Sequence, residues 1–113
     1  MSILPFVCAA AEVLDHFRDR FIRDTASSAI MYELKHRDVI SSGDVEMIER
    51  KPDVTQQNQY LHECLTRKCT KEVLMEVCNV MTAVRGNPKM NDLGEDMRRR
   101  LKGILLCNEC VHL

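Results

Sequence analysis

Residues 34–48 read LKHRDVISSGDVEMI, and this stretch contains the end of one predicted helix and the start of the next. Leu34 closes an apolar stripe at helical spacing, and Val39-Ile40 follows as a short apolar link. Ser41 is followed by acidic residues, and this combination is typical of the start of a helix. The serine oxygen accepts hydrogen bonds from free backbone N–H groups, and negative charge in the first turn complements the helix dipole. The stretch therefore predicts two helices joined by a tight connection, the second one short and ending before Pro52.

Apolar residues at a spacing of about 3.6 continue on both sides of this stretch, and no strand pattern occurs. The predicted helices are one over 11–24, one over 27–38, the short one after Ser41, one capped by Asp53 or Thr55, one capped by Thr70, and one over 92–106 opened by Asp92 and Glu95 in capping-box spacing. The side chains predicted to face inward are Leu14, Phe17, Phe21, Ile30, Met31, Leu34, Val45, Ile48, Tyr60 or Leu61, Cys64, Leu65, Val73, Leu74, Val77, Cys78, Met81, Leu93, Met97, Leu101 and Ile104. The predicted fold class is all-α, an antiparallel bundle of six helices with short connections.

The length of 113 residues and the balance of charge limit the functions available to the chain. The length supports a single domain, predicted over 1–106 with its core at 11–103 and a C-terminal tail at 107–113. With 16 basic and 17 acidic side chains the net charge is -1, which argues against a polyanion binder because phosphate neutralisation needs a basic surplus. A chain of this size needs most of its apolar residues for one core, so little is left for a deep substrate pocket.

Sequence motifs for catalysis are missing. The 4 histidines are scattered, no cysteine lies in a Gln-Ala-Cys-like nucleophile context, and no glycine-rich phosphate loop is present. We therefore expect no enzymatic activity, no catalytic residue and no cofactor.

The first residues and the 6 cysteines bear on the cellular compartment. The apolar stretch 1–11 is too short to span a bilayer and lacks the positive charge that opens a signal peptide. Disulfide scaffolds are rich in glycine and proline, whereas this chain has 4 Gly and 3 Pro, so secretion with three disulfides is the less favoured alternative. Cys8, Cys64 and Cys78 lie among apolar residues, where a thiol packs as a small hydrophobe. We expect a reduced, cytoplasmic protein with no membrane span.

The stretch 34–48 also resembles the second-to-third-helix signature of caspase recruitment domains (CARDs), which belong to the death-fold superfamily. In those domains a leucine and a polar pair precede an aliphatic segment ending in Ser or Thr, and a short acidic helix with a buried isoleucine follows. The gap at Pro52 and the helices over 55–65 and 73–81 come next in the expected order, so the similarity covers residues 14–101. The resemblance implies a six-helix Greek-key bundle and a protein that consists of a CARD alone. Pyrin and death-effector domains share this fold and are the nearest alternatives.

The resemblance further implies that the basic first and fourth helices of one CARD contact the acidic second and third helices of another. The positions of the charges in this chain favour the same arrangement: Arg20 and Arg23 lie away from the apolar stripe of their helix and Arg18 flanks its other side. The alternative is that these are ordinary solvated faces, with Asp19 and Arg23 neutralising each other locally. The predicted partner-binding residues are Arg20, Arg23, Arg67 and Lys68 on a basic face and Asp38, Asp44, Glu46 and Glu49 on an acidic face.

These features predict a protein-interaction module that binds other CARD-containing proteins, namely a caspase, an adaptor or a receptor, by homotypic contact. Two complementary faces on one molecule also favour self-association into oligomers or filaments. The implied role is regulation of apoptotic or innate-immune signalling, either as a decoy inhibitor or as a nucleator of CARD assembly.

The alternative function is a small helical adaptor for zinc or nucleic acid. Zinc candidates are Cys107, Cys110 and His112, with a second half from His62, Cys64 and Cys69, but tetrahedral zinc needs four converging ligands and Cys64 is expected in the core. The basic run of Arg98, Arg99, Arg100 and Lys102 lacks aromatic residues for base stacking and follows two acidic residues. We therefore expect no bound metal and no nucleic-acid partner.

Overall fold

The computed structural model describes the backbone of residues 9–68 and 70–111 and the side chains of 9–68 and 70–106. All regular secondary structure in these ranges is helical, as predicted. The helices are α1 (Ala9–His16), α2 (Arg18–Asp24), α3 (Ser27–His36), α4 (Ser42–Arg50), α5 (Val54–Arg67), α6 (Lys71–Ala83) and α7 (Pro88–Val111). They pack into a compact fold around one apolar core.

The predicted opening helix over 11–24 is two helices, which is why the described residues contain seven helices where six were predicted. The interruption is at Phe17, whose φ of -99° and ψ of 14° depart from helical values. Backbone bonds still run from Phe17 N–H to Val13 O (3.0 Å) and from Phe21 N–H to Phe17 O (2.7 Å). Backbone hydrogen bonding therefore continues from α1 into α2. The break is a local change in the backbone angles, which the spacing of apolar side chains does not reveal.

The connection after α3 explains how the stretch 34–48 folds. The predicted helix over 27–38 ends at His36, and Asp38 adopts a left-handed φ of 62°. Val39 N–H donates to Leu34 O (2.8 Å) and Asp38 N–H to Lys35 O (2.9 Å), a Schellman-type ending in which Asp38 occupies the position usually taken by glycine. This turn directs Val39 into the core as the predicted apolar link.

Three of the predicted helix caps are confirmed. Ser41 and Asp44 form a reciprocal capping box at the start of α4. Asp53, rather than Thr55, caps α5 by accepting from Gln56 N–H, and Thr70 caps α6 by accepting from Val73 N–H. Cap chemistry therefore located the starts of the three central helices correctly.

The predicted start of the last helix is wrong. That helix, α7, begins at Pro88, and the Asn87 side chain caps it by accepting from Met90 N–H at 3.1 Å. Asp92 and Glu95 lie within the helix and do not cap it. Proline is well suited to a first helical position because its missing N–H would have no partner there. The helix also continues past residue 106, the predicted end of the domain, to Val111.

The core combines aliphatic side chains with sulfur-containing ones, as the composition predicts. The buried hydrophobic residues include most of the predicted inward set, with Phe17, Tyr60, Val73 and Ile104 partly buried at its margin. Met90 and Val80 are buried although they were not predicted to be. Cys64 and Cys78 are buried free thiols, and burial raises the pKa of Cys64 to about 11 and that of Cys78 to about 12. Both thiols therefore stay protonated and pack as hydrophobes.

No helix within the described ranges is long and apolar enough to cross a membrane. The expectations made for the apolar N-terminal segment and for Cys8 concern residues outside those ranges.

Candidate protein-interaction surfaces

The four residues of the predicted acidic face divide into two groups. Glu46 and Glu49 are exposed on α4, three residues apart and therefore on the same side of the helix. Neither glutamate forms an ion pair with the described residues. Asp38 is exposed in the turn after α3, whereas Asp44 is half-buried. We use the term acidic surface for Glu46, Glu49 and the neighbouring Tyr32.

Asp44 stabilises the fold in a way that competes with its predicted role in binding. Its carboxylate accepts from Ser41 N–H at 3.1 Å and from the Tyr60 hydroxyl at 3.0 Å. Burial acts to raise the pKa of Asp44, but the hydrogen bonds from Ser41 and Tyr60 outweigh it and hold the pKa below its usual value. Burial and the bond to Asp44 raise the pKa of Tyr60 to about 12. Asp44 thus joins α4 to α5, and its carboxylate is engaged in hydrogen bonds within the molecule.

Tyr32 on α3 adds an aromatic ring to the acidic surface. The residue is 56% exposed. Its hydroxyl donates a hydrogen bond to the Glu49 carboxylate, and this bond raises the pKa of Tyr32. Two other acidic residues are neutralised by Arg37, which forms ion pairs with Glu33 (2.8 Å) and Glu76 (2.7 Å). The acidic surface therefore holds a ring bonded to Glu49, and neither Glu46 nor Glu49 has a basic partner among the described residues.

The predicted basic face also divides when its residues are placed on the structure. The Arg20 side chain is 30% exposed and points at α7, where it forms an ion pair with Asp96 at 2.6 Å. The bond from Arg20, supported by Arg99, holds the pKa of Asp96 below its usual value. Arg23 is exposed and pairs with Asp24 at 3.1 Å, while Arg20 approaches the same Asp24 at 3.8 Å. Arg20 therefore ties α2 to α7 within the molecule, and Arg23 remains at the surface.

Arg67 and Lys68, the other two predicted basic residues, are exposed at the C-terminal end of α5. Arg67 lines an open groove of about 450 Å³ between α1–α2 and α5, and Arg18 lines the same groove. Asp15 and Glu63 are also part of its walls. We call this the α2–α5 groove. The structure thus brings Arg67 together with Arg18, the arginine that the apolar stripe places on the opposite flank from Arg20.

A second groove, of about 610 Å³, lies between the α1–α2 junction and α7, and we call it the α1–α7 groove. Its apolar lining comes from Phe17, Gly103 and Ile104, and arginines stand at its rim. Sequence reasoning did not identify this groove, because it requires knowing that α1 and α7 are neighbours. Leu106, which is 61% exposed, lies three residues beyond Gly103 on the same side of α7.

The arginine run in α7 does not form one continuous basic patch. Arg98 pairs with Glu95 at 3.1 Å and donates to Asn79 on α6, Arg99 pairs with Asp96 at 2.9 Å, and Arg100 pairs with Glu12 on α1 at 2.9 Å. The three guanidinium groups thus point toward different neighbours, and each has an acidic partner. This dispersal gives no support to the nucleic-acid alternative.

The described residues contain no cluster of three metal-ligating side chains. His62 is buried and its Nε2 lies 2.8 Å from Leu14 O, a bond in which the ring donates to the carbonyl, and Cys64 is in the core. Cys69, Cys107, Cys110 and His112 have no described side-chain positions, so the predicted tail ligands lie outside the part of the chain that the structure describes.

Comparison with protein-family models, curated proteins and solved structures finds no match to this chain. The CARD resemblance therefore remains a proposal, and the two unlike surfaces are the observations that bear on function.

Proposed function

We propose that the chain is a CARD of the death-fold type and acts by homotypic contact with other CARDs. In this assignment α1 and α2 together correspond to the first of six helices, and the short α4 to the third. The order of elements, the tight turn at 34–48 and the helix lengths support the assignment. The Greek-key arrangement is part of the proposal.

The observation that carries the proposed contact is the separation of unlike charges onto different helices. Glu46 and Glu49 belong to the acidic surface on α4, while Arg23 on α2 and Arg67 and Lys68 at the end of α5 are exposed, and we call these three residues the basic surface. Two surfaces of opposite sign on one molecule favour head-to-tail association, and a heterologous contact that does not close into a ring extends into a filament. Each exposed ion pair contributes roughly 0–1 kcal/mol, so the charges set orientation and salt dependence more than affinity.

The corresponding cellular role is regulation of apoptotic or innate-immune signalling in the cytoplasm. A molecule that offers one surface to a partner CARD and then extends the assembly acts as a nucleator. A molecule that occupies the partner's surface without extension acts as a decoy. The partner is a CARD of a caspase, an adaptor or a receptor.

The proposal is tested by reversing the basic charges at Arg67 and Lys68 to glutamate. Both residues are exposed and lack ion pairs with the described residues, so the double variant should keep its helical circular dichroism. We expect self-association, measured by light scattering at low salt, to weaken by roughly tenfold or more and wild-type association to fall as salt rises.

The matched control is Arg85→Glu with Lys89→Glu. These two residues are exposed around the α6–α7 connection, and their reversal changes the net charge by the same amount. The control should associate as the wild type does. Equal association of the folded Arg67–Lys68 variant and the wild type would contradict the proposed basic surface.

A further inference from the structure

The α1–α7 groove has the composition of a docking site for a side chain with an apolar body and negative charge beside it. Its floor is apolar, from Phe17 and Ile104, and Gly103 leaves it open because a methyl group placed there would meet no atom of the described residues within 4 Å. The rim carries Arg99, whose side chain is 75% exposed, and Arg100. Its volume of about 610 Å³ is within the range of sites that hold one ligand group or a few side chains.

The charged side chains that line this groove are more basic than acidic. Asp96 is shared between Arg20 and Arg99, and Glu12 pairs with Arg100. Of the charged residues that line the groove, Arg99 and Arg100 are basic and Asp96 is acidic, so the lining has one more basic than acidic side chain. An incoming acidic group therefore meets a basic rim.

The same molecule carries a feature that complements this groove. Among the large hydrophobic side chains exposed in the described residues, Tyr32 is hydrogen bonded to Glu49, and Glu46 lies one turn before Glu49 on the same face. A ring bonded to one carboxylate, on a surface with a second carboxylate, matches an apolar floor beside arginines in both polarity and charge. Tyrosine is also a frequent anchor of protein interfaces, because it buries a large rigid ring and keeps a polar end.

The two grooves are close enough to belong to one docking surface. Asp15 and Arg18 line the α2–α5 groove, and His16 and Phe17, the two residues between them in sequence, line the α1–α7 groove. A stable interface covers about 20–30 residues on each partner, which is wide enough to include the α1–α2 junction and both grooves.

We infer that the α1–α7 groove receives Tyr32 of a second copy of this chain, with the Glu49 carboxylate of that copy, which is bonded to Tyr32, against Arg99 and Arg100. This inference rests on the proposed function, since it names the apolar anchor of the proposed head-to-tail contact. The charged residues then orient the two copies, and the buried ring supplies most of the affinity.

The inference is tested by filling the groove with Gly103→Trp and removing the anchor with Tyr32→Ser, measured by sedimentation velocity of the full chain over a concentration series. Each substitution should weaken self-association by roughly tenfold or more, the size expected for an aromatic anchor. Gly103→Ala, which adds one methyl group, and Tyr32→Phe, which keeps the ring, should stay within about twofold of wild type. Thermal melts of all four variants check that each is folded.

The outcomes separate the inference from the proposed function. If folded Gly103→Trp associates as the wild type does while the Arg67–Lys68 reversal abolishes association, the groove is not the docking site and the charge-based function stands. If Tyr32→Ser alone weakens association, Tyr32 docks elsewhere and the inference is overturned. If the wild type stays monomeric at every concentration, homotypic self-assembly and the groove inference fail together.

Discussion

Two junctions between helices hold this fold together by opposite means. The α6–α7 junction is apolar and close-packed: Met81, Met97 and Leu93 are fully buried there, and the two helices approach so closely that a Cβ on Gly94 would lie 2.9 Å from Thr82 Cγ2. The junction of α2, α3 and α5 is polar and centred on Asn58, a fully buried residue. The comparison shows that one small core combines a junction whose fully buried side chains are apolar and a junction organised by one fully buried amide.

The Asn58 side chain satisfies the backbone where the chain turns from α2 into α3. Its amide donates to Ile22 O (2.8 Å) and Thr25 O (2.6 Å), and its oxygen accepts from Ser27 N–H (3.2 Å) and Ser27 Oγ–H (2.6 Å). The turn is buried, so these backbone groups have no water to bond with if the amide is lost. The position of α2, and hence of Arg23 on the proposed basic surface, depends on this junction.

The largest expected effect comes from Asn58→Leu. The substitution keeps the size of the side chain but leaves the carbonyls of Ile22 and Thr25 and the N–H of Ser27 without partners. We expect the free energy of unfolding to fall by roughly 3 kcal/mol or more, since each buried group left unpaired costs about 1–3 kcal/mol. Urea unfolding followed by circular dichroism measures it.

The matched control is Asn91→Leu. Asn91 makes a similar amide contact, donating to Met81 O (2.7 Å) and Val84 O (2.9 Å), but it is only half-buried, so water can replace it. Its loss should cost roughly 1 kcal/mol. If the two substitutions lowered the free energy of unfolding equally, the buried amide of Asn58 would be no more important to the fold than the half-buried amide of Asn91.

A smaller effect is expected from Gly94→Ala at the apolar junction. The new methyl group would meet Thr82 Cγ2 at 2.9 Å, Met81 Cβ at 3.1 Å and Cys78 O at 3.3 Å, and the last two cannot move without the α6 backbone. The cost of overpacking exceeds the gain in helix propensity, so we expect a loss of about 1–2 kcal/mol.

Gly103→Ala in the same helix is the matched control, because its methyl group meets no atom within 4 Å in the described part of the chain. Alanine there should raise the unfolding free energy by about 0.5–1 kcal/mol. Thermal melts of the two variants should therefore shift in opposite directions, and shifts of the same sign would contradict the close approach of α6 and α7.

The smallest effect is expected from Thr25→Val at the polar junction. The Thr25 hydroxyl is the one buried side-chain oxygen or nitrogen that lacks a hydrogen-bond partner in the described part of the chain. Valine has nearly the same shape and no hydroxyl, so the change should be neutral or stabilise the fold by up to about 1 kcal/mol. A loss above about 1 kcal/mol in urea unfolding would mean that the hydroxyl has a partner in solution.

The same contrast explains how much of the fold follows from sequence. Side chains repeating at helical spacing identify the apolar junctions, and local cap chemistry identifies Ser41, Asp53 and Thr70, because both signals depend on neighbours along the chain. Asn58 has no such signal, since its partners are 31–36 residues away. The start of α7 was predicted wrongly because Asp92 and Glu95 have the spacing of a capping box. The residue that caps the helix is Asn87.

The candidate surfaces show the same limit. Sequence position predicted that acidic and basic residues lie on separate helices, but not that Arg20 turns inward to Asp96 or that Asp44 bonds to Tyr60. These contacts depend on which helices are neighbours. For the same reason Arg18 in the α2–α5 groove and the whole α1–α7 groove were found from the structure alone.

The central claim, head-to-tail contact between unlike surfaces, is tested most directly by mixing two variants in sedimentation velocity. One variant carries Arg67→Glu with Lys68→Glu and keeps its acidic surface; the other carries Glu46→Lys with Glu49→Lys and keeps its basic surface. Each should be monomeric alone, because a head-to-tail contact needs both surfaces. An equimolar mixture should form a one-to-one complex that does not grow further, because one intact contact remains. A mixture that stays monomeric although both variants are folded would contradict the claim.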